Sequence, residues 1–180
     1  MWDGLADFFG PSGAYSHCWC VYWRVPRREF DAGCREGGRG NRAVLERITR
    51  EGRVPGLIAY GGGQPVGWIS VAPREEYGGI ERSPSIGPDD DETGVWSVPC
   101  FWIPRANRRR GVATALLSAA VAHAASGGAA AVEGYPVDVD HRVPAAEAYT
   151  GTVPMFERAG FTVVRRPARG RRIVMQRQLQ

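Results

Sequence analysis

At 180 residues, with 43% apolar and 23% charged residues, the chain is sized for one domain, 1–180, with a core of its own. All 23 basic residues are arginine, which excludes chemistry that needs a lysine Schiff base or a lysine nucleophile. The net charge of +4 suits an anionic ligand; with no apolar run of about 18 residues and no basic segment leading into an apolar one at the start, the reading is a cytoplasmic protein that stays out of membranes.

Ala14–Val25 is rich in aromatic and β-branched residues and stops at Pro26, which predicts a first strand. Alternation would send Cys18, Cys20 and Tyr22 to one side and Trp19, Val21 and Trp23 to the other. Such a segment is either a strand buried on both faces or the ring-lined wall of an acceptor pocket. The four cysteines, Cys18, Cys20, Cys34 and Cys100, read as reduced thiols, and the cluster around His17 lacks the paired spacing of a zinc site, so no metal is expected. Asn41–Arg50 predicts a helix with Val44, Leu45 and Ile48 on one face behind an Asn41 cap, preceded by a less regular helical stretch. Gly56–Tyr60 and Val66–Ala72 flank a Gly-rich turn and predict an antiparallel hairpin.

The polar segment Arg74–Gly94, with Pro84, Pro88 and an acidic run, predicts a long exposed loop that covers a site. Val95–Ile103 is strongly β-like except at Pro99, which marks an edge, a bulge or a point where strands part. Gly111–Ser126 predicts a helix with Val112, Leu116, Ala119 and His123 on one face. Ala129–Glu133 predicts a short strand. A short helix opened by Pro154 and closed by Gly160 follows, and Phe161–Arg166 with Arg172–Gln178 form a last β pair. The order indicates an α/β sheet of mixed direction with helices on its faces.

The sharpest chemical signal is Phe101–Thr114, where a strand passes through an arginine-rich turn into a helix. The first N–H groups of a helix lack internal partners and lie at the positive end of its dipole, so they take phosphate oxygens. Gly111 and Ala113 permit close approach, and neighbouring arginines add charge-assisted hydrogen bonds, which suits a pyrophosphate.

Arg108-x-x-Gly111-x-Ala113 resembles the (Q/R)-x-x-G-x-(G/A) motif of the GNAT acyltransferases, and Met155–Phe161 resembles that family's late helix ending in YEKxGF. The likeness runs from Leu57 to the C-terminus. It implies a mixed, mostly antiparallel central sheet with helices on both faces and a splayed strand pair. It further implies acetyl-CoA as co-substrate, with Phe101, Trp102 and Ile103 along the pantetheine arm and Arg108, Arg109, Arg110, Gly111, Val112, Ala113 and Thr114 around the pyrophosphate. The expected reaction is acetyl transfer to a primary amine of a small molecule or peptide by direct attack in a ternary complex, and family membership makes a homodimer an expectation.

Where many members of the family have a tyrosine that protonates the departing thiolate, this chain has Phe156, which is expected to pack against the coenzyme. Tyr149, seven residues earlier, supplies a hydroxyl if its loop folds back, and is otherwise a half-buried loop ring. Glu75, Glu76 and His141 are the candidates for the base, with Glu75 first because it stands at a strand end beside Arg74; the competing reading makes all three solvated surface groups. Two other functions stand beside the enzyme. One is a module that binds acyl-CoA without turnover, and the other is a nucleic-acid binder using the arginine clusters at 105–110 and 165–172, which no recognised motif accompanies.

Overall fold

A computed structural model describes residues 2–88, 92–138, 144, 147–168 and 170–179. Its elements are α1 (Trp2–Phe9), α2 (Arg27–Arg35), α3 (Arg39–Arg50), β1 (Gly56–Gly61), β2 (Gln64–Pro73), α4 (Gly78–Glu81), β3 (Val95–Trp102), α5 (Val112–Ser126), β4 (Ala131–Gly134), α6 (Val153–Arg158), β5 (Thr162–Arg165) and β6 (Val174–Gln178). The strands form one sheet in the order β1-β2-β3-β4-β6-β5, in which β3 and β4 run parallel and every other pair antiparallel. The mixed sheet and its terminal pair are as expected.

The β1–β2 hairpin closes on Gly62 and Gly63, with φ of +58° and +77°, the left-handed pair that a tight hairpin turn requires. Beyond the turn, alternation sends Ile69 and Val71 to one face, where they meet α5 and, with Val98, Val132 and Met175, form the larger core. The alanine-rich α5 is a strong helix former. It buries Leu116, Leu117, Ala120, Val121 and Ala124, a register that differs from the expected one: Ala119 points to solvent. Gly67 on β2 allows the helix to lie close, because a Cβ there would stand 2.6 Å from Val112 Cγ1.

The opposite face is covered by irregular structure. Residues 10–25 are not a strand. Ala14, Ser16, His17, Trp19 and Cys20 have positive φ, and the backbone bonds itself in successive turns, such as Trp19 N–H to Gly13 O and Val21 N–H to Cys18 O. The aromatic content that suggests a strand instead serves packing: Trp19 joins Trp2, Leu5 and Phe9 of α1, Leu45 of α3 and Trp68 of β2 in a second core. Burial of those rings outweighs the strain of the left-handed residues.

Asn41 also departs from expectation. Gly38, with φ of +85°, is the residue that caps α3, and Asn41 is buried in the first turn, three residues on. Its Nδ2 donates to His17 O at 2.9 Å and Phe30 O at 3.3 Å, tying α3 to the coil and to α2. Segment 74–88 is not an exposed loop. Tyr77, Ile80 and Ile86 are buried against Ala72, Tyr135 and Val174. Arg74 is 6% exposed, with Glu81 at 3.4 Å and Glu133 at 3.6 Å.

Candidate active site

The site begins with a counting irregularity. Opposite β2, Cys100 faces Ser70 while Ser97 faces Ala72, so β3 carries one extra residue across the Val98–Pro99 step. Pairing with β4 starts at Val95 and ends at Val98, opposite Gly134. Pro99, with no N–H to give, stands where the two parallel strands part. Of the three options open for this proline, the bulge and the parting are both realised, and β3 beyond Val98 no longer pairs with β4.

A cavity of about 870 Å³ opens against that free stretch, within the range of small-molecule sites. Phe101, Trp102 and Ile103 border it on one side, Arg108 and Ala113 at one end, and Tyr149, Thr152 and Met155 on another. Tyr22, Trp23 and Phe30 complete it from the irregular layer with Cys18, Cys20 and Cys34, and Cys100 joins them from β3. The walls are mostly carbon and sulfur. The ring-lined pocket, rather than the doubly buried strand, is therefore the reading of the aromatic segment that the structure supports.

From Trp102 the chain passes through Pro104 and a short turn, Arg105–Asn107, and reaches α5 by way of Arg109 at φ +60° and Gly111 at φ +79°. Arg108 folds back, its Nε donating to Ile103 O at 2.9 Å. Arg105, Arg108, Arg109 and Arg110 are exposed and without an ion pair among the described residues. The N–H groups of Val112, Ala113 and Thr114 belong to the first turn of α5, which holds no acidic residue. A Cβ on Gly111 would meet nothing within 4 Å, so this glycine serves its conformation and faces open space.

Tyr149 is brought to the cavity by the turn Ala148–Thr150, and Val137 N–H donates to Gly151 O at 3.1 Å to hold that turn against the end of β4. Tyr149 lines the cavity. Burial pushes the Tyr149 hydroxyl up to about 12, against the nearby Arg172 guanidinium, which lies 5.1 Å above the ring. The group therefore keeps its proton at neutral pH.

Other expected residues lie elsewhere. Phe156 is fully buried behind the parting strands, edge-on to Phe161 at 4.9 Å and to Phe101 at 6.2 Å. Its ring fills the place where a Gly134 or Gly151 side chain would be, and it is not on the cavity wall. Glu75 is exposed and away from the cavity. Glu76 is held by Arg24 at 2.7 Å and Arg53 at 3.3 Å. His141 lies outside the described residues. Glu133 on β4 is buried, its carboxylate accepting from the Tyr135 hydroxyl at 2.6 Å, and burial raises its carboxyl. It is two residues before Tyr135, one strand-face repeat, which is the signal that could have paired them. Among the described residues no cluster of His, Cys, Asp or Glu is arranged to hold a metal ion, and no helix is long and apolar enough to cross a membrane.

The fold has counterparts among solved structures. A PaiA N-acetyltransferase from Thermoplasma acidophilum, crystallised with coenzyme A, superposes with a TM-score of 0.56 at 12% identity over 99% of this chain and 95% of that one. A ribosomal-protein-alanine N-acetyltransferase from Brucella melitensis gives 0.56 at 16% identity, over 99% and 96%. An N-acetyltransferase from Staphylococcus aureus gives 0.50 at 13%, over 78% and 76%. No curated protein matches by sequence. At these identities the likeness is one of fold. The Acetyltransferase (GNAT) family itself matches residues 18–161, from the first cavity cysteine to the phenylalanine after the late helix, and the chain belongs to that family.

Proposed function

We propose that this protein is an N-acetyltransferase that moves an acetyl group from acetyl-CoA to a primary amine of a small molecule or peptide, by direct attack of the amine in a ternary complex. One observation carries the reading: a single cavity borders the unpaired stretch of β3, the arginine turn at the head of α5 and the Tyr149 ring. The pantetheine arm bonds to backbone along Phe101–Ile103. The pyrophosphate takes the N–H groups of Arg109–Thr114, with the exposed arginines adding charge. The acceptor amine enters between Tyr22, Trp23 and Phe30.

Once the amine has attacked the thioester, the thiolate that leaves needs a proton. Tyr149 supplies it, taking the place that Phe156 cannot fill. Glu75 has no part in this geometry. The test is calorimetric titration with acetyl-CoA, followed by thiol release in the presence of alkyl, aromatic and peptidyl amines. Saturable binding and amine-dependent thiol release support the reading; binding without turnover for any amine would leave a coenzyme-binding module.

A further inference from the structure

All four cysteines of the chain border the one cavity, from the coil, from α2 and from β3. Three of them are linked through Cys20: the Cys100 thiol donates to Cys20 Sγ at 3.3 Å, and the Cys20 N–H donates to Cys18 Sγ at 3.3 Å. A backbone donor aimed at the sulfur favours negative charge on Cys18. Its thiol is brought down to about 7, first by the Cys20 side chain and against the opposing effect of burial, while Cys20, between two sulfurs, is pushed well up. Cys34 on α2, raised by burial, and Tyr149 beneath Arg172, both on the same cavity, stay neutral at pH 7. Arg108 is the cation on the cavity wall.

We propose that Cys18 is an acyl-acceptor site: its thiolate attacks the thioester carbonyl of an acyl-CoA held in the cavity, forming a Cys18 thioester when no amine is present. The inference rests on reading the cavity as the acyl-CoA site. One carbon–sulfur bond forms and one breaks. Coenzyme A leaves as a thiolate and picks up the proton that Cys18 gave up on ionising, so no oxidant or reductant is needed. A thiol titrating near 7 is about half ionised at pH 7, whereas an ordinary one near 8.5 is only about 3% ionised.

The experiment incubates the full-length protein with acetyl-CoA and no amine, then measures intact mass and maps the modified peptide. The expected result is one acetyl group on Cys18, removed by hydroxylamine and reduced to background in Cys18→Ser, whose folding is checked by its binding of acetyl-CoA. Iodoacetamide labelling of Cys18 should titrate near pH 7. Cys20→Ala should move that midpoint towards 8.5 and slow acylation at pH 7 about threefold, the lost thiolate outweighing its greater intrinsic nucleophilicity. A small thioester without the nucleotide, S-acetyl-N-acetylcysteamine, forms a separate arm. If acetyl-CoA does not bind but the small thioester acylates Cys18, the coenzyme reading falls and the thiol site stands. If acetyl-CoA binds and Cys18 stays unmodified, or the acetyl group maps to another residue, the inference is overturned. If acetyl-CoA does not bind and the small thioester leaves Cys18 unmodified, both fall.

Discussion

The two faces of the sheet reach the same degree of burial by different means. One is covered by α5, a regular helix whose apolar stripe repeats every three or four residues and whose fit needs one small residue, Gly67. The other is covered by α1–α3, a coil with five left-handed non-glycine residues and the folded-down segment 74–88, all held by particular side chains. The regular face supplies the arginine turn at the head of α5, whereas the irregular face supplies rings and three of the four thiols. Function here draws a repeating half and a specific half together at one cavity, and the specific half has no periodic pattern to announce it.

If the irregular layer is a core and not a flap, Trp19→Ala should cost about 3–5 kcal/mol in denaturant unfolding, as much as a large truncation under α5 such as Leu117→Ala. A loss below about 1 kcal/mol would break the comparison. Next in size, Tyr149→Phe should lower kcat roughly a hundredfold with little change in the KM for acetyl-CoA, since only the proton is removed; equal rates would return Tyr149 to a packing role. Asn41→Ala, which strips the donor shared by His17 O and Phe30 O, should cost about 1–3 kcal/mol, read by the same unfolding curves. On the regular side, Gly111→Val should weaken acetyl-CoA binding at least about tenfold in calorimetry, because a β-branched residue resists the φ of +79° there.

The smallest effect is one of pH. Burial raises Tyr77 from 10.0 to about 12, and Arg24 and Ser70 only partly offset it. Its folded value lies above its unfolded one, so its contribution is complete below about pH 10 and is lost as pH rises through about 12. At pH 11 the loss is on the order of 1 kcal/mol, to be measured as a drop in the denaturation midpoint between pH 9 and pH 11. A flat profile would place Tyr77 in solvent and loosen the 74–88 segment.

Much of the regular half is legible in the sequence. The hairpin declares itself by period-two alternation around paired glycines, and the turn into α5 by arginines and a glycine between strand and helix. The late helix is marked by Pro154 and Gly160. The irregular half is readable only in part. α1 carries Trp2, Leu5 and Phe9 at helical spacing, a signal that was there to be used. The coil is different: rings, cysteines and a β-branched valine fit a pleated strand equally well, and only tertiary packing against Trp68 and Leu45 decides otherwise. Asn41 has the composition of a cap but is needed one turn deeper, where three segments meet. Nothing local could reveal that the four thiols share one wall, because Cys100 is 80 residues from Cys20.

The extra residue in β3 is absorbed by a bulge, and the bulge decides which side the strand's last residues take. Side chains on a strand alternate, so parity decides which compartment each one enters. Val98 and Phe101 share the α5 face although they are three apart, and Cys100 falls to the other side; an uninterrupted strand would exchange the destinations of Phe101 and Cys100. Removing Pro99 would therefore straighten β3 and leave Val98, Cys100 and Phe101 on their present faces, now in plain alternation. Keeping the residue but ironing out the bulge would instead evert the strand's last three positions, turning sulfur toward the helix and a benzyl ring toward the coil, so the identity of the cavity wall depends on the bulge.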